Sequence, residues 1–205
     1  MRLILSGGGN PENVVPLDEL FVNQIDVSKT VLYIPVAMEA HIFSYDECFS
    51  WFKTTYEKYG IKNIEICTDL NSMQTINHYT AIFIGGGNTF KLLKEIKENN
   101  FDDKLMDFLH RGGLIYGGSA GAIIFGKTIK SALYADDNNV NLKDLYGLNV
   151  SGNKDIFCHY SDKDNEFIKS YDNDLYVLYE ESGLFIHNDK IESIGRKYLL
   201  KSDII

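Results

Sequence analysis

Gly117-Gly118-Ser119-Ala120-Gly121 fits the pattern G-x-S-x-G, in which a serine sits on a sharp strand-to-helix turn. The chemistry of such an elbow is nucleophilic attack by the serine hydroxyl. Three local requirements are met. Leu114-Ile115-Tyr116 supplies a buried strand, the neighbours of Ser119 are glycine and alanine, and Ala122-Ile123-Ile124-Phe125 can continue as an apolar helical turn. A serine hydroxyl needs a base at neutral pH, usually histidine. Of the five histidines, His78 and His110 fall at polar helix ends, His41 follows a strand end and His187 precedes a hairpin turn. His159 is best placed, because it follows the apolar run Ile156-Phe157-Cys158 and so stands at another strand end downstream of the serine. The acid that would orient the base is open among Asp136 and Asp137, in a polar loop, and Glu180 and Glu181, beyond the run Leu175 to Leu178. A second glycine turn, Gly85-Gly86-Gly87-Asn88, lacks the Lys-Ser/Thr of a phosphate-binding loop. It can offer backbone N–H groups instead, so Gly87 and Ala120 are candidate donors to an oxyanion.

These residues need a scaffold, and the hydrophobic pattern supplies one. Short apolar runs at Leu3 to Leu5, Val31 to Ile34, Ile64 to Cys67, Ala81 to Ile84 and Leu114 to Tyr116 read as strands buried on both faces. Phe43 to Tyr59, Thr89 to Lys97 and Phe101 to His110 carry helical spacing between them, with Asn88 or Thr89 capping the second. Alternation of this kind predicts crossover connections and a mostly parallel sheet. Ile156 to Cys158, Leu175 to Leu178, Leu184 to His187 and Lys190 to Ser193 read as later strands, the last two joined as a hairpin around Asn188-Asp189. Ser6 to Gly9, Gly85 to Gly87 and Gly117 to Gly121 are three permissive turns at strand ends, where an open parallel sheet places its ligand crevice. No block of biased composition divides the 205 residues, which predicts one domain over 1–205.

Composition narrows the partners. The net charge of −9, from 29 acidic and 20 basic side chains, argues against phosphate backbones and anionic lipid surfaces. No apolar run approaches a membrane span, and the first residues are too short for a signal-peptide core. Cys48, Cys67 and Cys158 lack metal-site or CxxC spacing and read as buried hydrophobes in a reducing compartment, so the expected location is the cytoplasm.

Gly85-Gly86-Gly87-Asn88-Thr89-Phe90-Lys91-Leu92-Leu93, the run from Arg111 to Ala122 and the pair His159-Tyr160 together resemble the serine peptidase family of aspartyl dipeptidase (peptidase E) and cyanophycinase. The resemblance spans most of the chain in consistent order. It implies a three-layer α/β/α fold with a mostly parallel sheet, like class I glutamine amidotransferases, and no metal or organic cofactor. By the same resemblance Ser119 is the nucleophile, His159 the general base, and Gly87 and Ala120 the oxyanion donors. Glu181, in Tyr179-Glu180-Glu181-Ser182-Gly183, aligns best with the family's triad glutamate, and Asp136 is the alternative acid. The implied activity is hydrolysis of short peptides through an acyl-enzyme. One departure concerns substrate: aspartyl dipeptidases carry an arginine shortly after the histidine, suited to a carboxylate. Ser161-Asp162-Lys163-Asp164-Asn165-Glu166-Phe167 has none, and the chain holds only Arg2, Arg111 and Arg196. Two other readings fit the elbow: an esterase or amidase of α/β-hydrolase type using Asp136, and a non-catalytic peptide-binding homologue.

Overall fold

A computed structural model describes residues 1–188 and 190–204. Five parallel strands form its backbone: β1 (Arg2–Ser6), β2 (Val31–Ile34), β3 (Ile64–Ile66), β4 (Ala81–Ile84) and β5 (Leu114–Gly118). Helices α1 (Val15–Asn23), α2 (Tyr45–Glu57), α3 (Thr89–Glu98), α4 (Phe101–His110) and the short α5 (Ala120–Ile123) join or follow them. Beyond α5 come β6 (Asp155–Phe157), α6 (Asn165–Ser170), β7 (Leu175–Val177), β8 (Ser182–His187), β9 (Lys190–Gly195) and β10 (Leu199–Leu200). The main sheet runs β3-β2-β4-β5-β1-β8-β9, with β8 and β9 antiparallel at one edge.

Alternation along each central strand splits the core into two apolar layers. Leu3, Leu5, Leu32, Ile34, Ile82, Ile84 and Ile115 face α3, α4 and α5. Ile4, Val31, Tyr33, Ala81, Phe83, Leu114 and Tyr116 face α1 and α2. Both faces of the sheet are therefore covered, which is why these strands read as continuous apolar runs. The architecture is the expected three-layer α/β/α.

Local signals explain most boundaries. Ser44 and Glu47 form a reciprocal capping box at the start of α2. Asn88 accepts the Lys91 N–H at 2.9 Å and starts α3, while Asn100, left-handed at φ 49°, separates α3 from α4. The structure adds α1, which the hydrophobic pattern had not marked. Its turn opens with Pro16 and buries Leu17, Asp18 and Phe21. It also places β6 and β7 apart from the main sheet. With β10 they form a separate three-stranded sheet in the order β10-β7-β6, packed around Phe157, Ile168, Leu175 and Val177. The expected hairpin pairs as β8 with β9, and Asp189 of its turn lies outside the described residues.

Candidate active site

Strands β4, β5 and β1 are neighbours and run parallel, so the glycine turns that follow them share one rim. The small sheet adds two more strand ends to it. His159 lies two residues past β6, and Glu180 three past β7, and these strands are parallel to each other. A backbone bond docks that sheet on the β1 turn, the His159 N–H donating to Gly7 O at 3.0 Å, while the Gly7 N–H donates to Ser182 O of β8 at 2.9 Å. The buried Cys158 thiol fills the seam between Ser6 O and Ser119 O.

At the elbow Ser119 has φ 51° and ψ −111°, a conformation that costs a residue with a Cβ on the order of 1–3 kcal/mol. Its surroundings enforce it. The Ser119 N–H donates to Ser6 O at 3.1 Å, and its carbonyl accepts from the N–H groups of Ala122 and Ile123 as α5 begins. The Ser119 Oγ lies 2.8 Å from His159 Nε2, and His159 Nδ1 lies 3.1 Å from Glu180 Oε1. With the Nδ1 proton donated to Glu180, Nε2 is free to accept the serine proton. His159 is itself left-handed at φ 56°, and its ring lies against Gly8. A Cβ on Gly8, which has φ +96°, would stand 2.2 Å from His159 Cε1, so only glycine lets the imidazole lie here. The other Glu180 oxygen accepts from Asn13 Nδ2 at 3.3 Å.

Sequence reasoning brought Ser119 and His159 together but selected a different acid. Glu181 turns away and pairs with Arg196 Nη1 at 2.8 Å, and this guanidinium holds its carboxyl below the usual range. Asp136 accepts the Thr89 N–H at 2.8 Å and serves the start of α3. Neither is the carboxylate on His159; Glu180 is, one residue before the expected one. Gly8 and Asn13 were not singled out either. Two adjacent glutamates differ in no compositional signal, and only the register entering β8 separates them. Of the other histidines, His187 lies 3.1 Å from Glu192 across the β8–β9 pair, and His78 packs on Tyr79.

The candidate oxyanion donors flank the serine. Ala120 opens α5, and the Gly86-Gly87 turn of β4 approaches from the other side, where a Cβ on Gly86 would be 3.3 Å from the Ser119 Cβ. Gly87 adopts φ +137°, and a Cβ there would stand 2.4 Å from the Ala37 carbonyl oxygen, a geometry closed to residues with a side chain. Among the described residues neither the Gly87 nor the Ala120 N–H donates to another backbone group outside regular elements.

A cavity of about 720 Å³ opens beside Ser119 and His159. Its walls include residues of the sheet and of helices α1 and α2, among them Tyr116, Phe83, Tyr33, Tyr56 and Asp18. On the other side of His159 lies a smaller polar depression bounded by Lys163, Tyr179, Glu181 and Arg196. The Arg196 guanidinium there stacks 3.2 Å over the Tyr179 ring.

Sequence comparison meets this geometry at the level of family. The model of peptidase family S51 matches residues 3–194. The chain belongs to that family. Curated relatives include peptidase E of Salmonella typhimurium strain LT2, 29% identical over 154 residues, which cover 68% of this chain and 60% of that protein. Peptidase E of Salmonella arizonae is 28% identical over 152 residues, 69% of this chain and 57% of its own length. The chain thus spans about three fifths of the length of these S51 relatives. Among solved structures, a Listeria monocytogenes EGD-e protein assigned provisionally to peptidase E superposes with a TM-score of 0.78 at 23% identity, covering 96% of this chain and 98% of its own. A peptidase from an acI-B1 actinobacterium gives 0.69 at 16% identity, covering 97% and 93%. At these identities the likeness is one of fold. Among the described residues no helix is long and apolar enough to cross a membrane.

Proposed function

We propose that this S51 chain is a serine peptidase that hydrolyses short peptides through an acyl-enzyme. The carrying observation is the continuous relay from Ser119 Oγ to His159 Nε2 and from His159 Nδ1 to Glu180. Ser119 attacks the scissile carbonyl while His159 accepts its proton. Glu180 holds the imidazole in the productive tautomer and stabilises the imidazolium. The N–H groups of Gly87 and Ala120 receive the negative charge that develops on the carbonyl oxygen. His159 then returns the proton to the leaving amine, and water releases the acyl group by the reverse sequence.

The pattern of arginines argues against N-terminal aspartate as the preferred residue. Arg196 is held by Glu181 and Tyr179, and Lys163 offers a point charge in place of a bidentate clamp. Three buried free thiols suit a reducing cytoplasm. Incubating the protein and Ser119→Ala with a dipeptide and tripeptide library tests the activity. Cleavage by the first and none by the second is the expected result; equal cleavage, or none by either, contradicts it.

A further inference from the structure

The cavity beside Ser119 is lined by a buried carboxylate that peptide-bond chemistry does not require. Asp18 is 1% exposed, and its Oδ1 accepts the Tyr56 hydroxyl at 2.6 Å. Its Oδ2 is buried and has no hydrogen-bond partner among the described residues. An unpaired buried carboxylate oxygen is costly, so its presence calls for a group that completes it. The remaining walls indicate which group. Asp46 and Glu47 also line the cavity, and among its described lining residues there is no lysine or arginine. Tyr33, Tyr56, Phe83, Tyr116 and Trp51 present aromatic surface, which attracts cations and accepts alkyl stems.

The same cavity joins the serine to the carboxylate, since Ser119, Tyr116 and Asp18 all line it. Tyr116 and Gly118 are two residues apart on β5, and the Tyr116 ring lies under Gly118. In an acyl-enzyme the residue bonded to Ser119 starts its side chain at the mouth of this cavity.

We propose that the cavity selects peptides with lysine or arginine on the acyl side of the scissile bond, Asp18 receiving the cation. This rests on the peptidase reading. Matched di- and tripeptides differing only in lysine against norleucine test it, because both share the same α-amino group. The wild-type protein should favour lysine by at least about 30-fold in kcat/KM, a size consistent with a charge-assisted bond. Asp18→Asn should bring that ratio to within about threefold. Equal turnover of the two peptides by wild type, or an unchanged ratio in Asp18→Asn, would overturn the proposal. Calorimetric binding of the same peptides to Ser119→Ala separates the two readings. A lysine preference of tenfold or more in binding, lost on adding Asp18→Asn, supports the cation site even without turnover in wild type. Equal binding of the two peptides refutes it even if wild type proves to be a peptidase.

Discussion

Glu180 and Glu181 are chemically identical neighbours with different environments, and that difference makes the residue-scale account testable. Glu180 is held between His159 and Asn13, whereas Glu181 is spent on Arg196. Glu180→Gln should lower kcat about 10²- to 10⁴-fold, because an amide no longer fixes the tautomer or stabilises imidazolium. Glu181→Gln should change kcat by less than about threefold, and steady-state kinetics on one peptide compares the two. The pairing of Ser119 with His159 was legible because an elbow and a strand end each leave a local signature. The carboxylate beside His159 was not: its identity depends on which side chain points at the rim as the chain enters β8, and a one-residue shift reverses that.

At the scale of elements, the turn after β1 holds the site together. Through Ser6, Gly7 and Gly8 it touches Ser119 and His159, and Gly9 lies against Glu180. Gly8→Ala should displace the imidazole and lower kcat by about 10²-fold, the effect of an ångström-scale misplacement. Its fold, read by far-ultraviolet circular dichroism, should stay intact. Short continuous apolar runs revealed the five central strands, and α4 follows its expected span of Phe101 to His110. Helix α1 escaped although Leu17, Leu20 and Phe21 carry helical spacing, because it is only nine residues long, Val15 and Val22 blur the apolar stripe, and it buries an aspartate, Asp18, where the pattern calls for a hydrophobe. The separate sheet escaped because short apolar strands reveal burial but not their partners.

For the whole molecule, two buried aspartates have opposite consequences. Asp155 is fully buried and receives the Thr128 N–H and hydroxyl, the Tyr171 hydroxyl and the Asn173 amide, tying β6 to its surroundings. Asp155→Ala strands these donors and should cost about 3 kcal/mol or more, lowering Tm by roughly 6–12 °C in calorimetry. Asp18 is a net burden instead. Burial raises its pKa from 3.8 to about 6, against smaller lowering effects of the Tyr56 hydrogen bond and Lys58. The native state therefore binds a proton that the unfolded chain releases between these values. The contribution of this group is fully present below pH 3.8 and lost as pH rises through about 6. At about 1.4 kcal/mol per unit, the loss is on the order of 3 kcal/mol. Asp18→Asn should thus be more stable than wild type at pH 7.5 and show less of this decline between pH 4 and 6, measured by denaturant unfolding. A carboxylate that weakens the fold in a cavity beside Ser119 fits a residue retained for binding.

The central claim is that Ser119 is an activated nucleophile, and covalent labelling by an aryl fluorophosphonate, read by intact mass and peptide mapping, tests it most directly. The account predicts one adduct on Ser119, formed much more slowly in His159→Ala and absent from Ser119→Ala. No adduct on the wild-type protein, or equal labelling of wild type and Ser119→Ala, would contradict it.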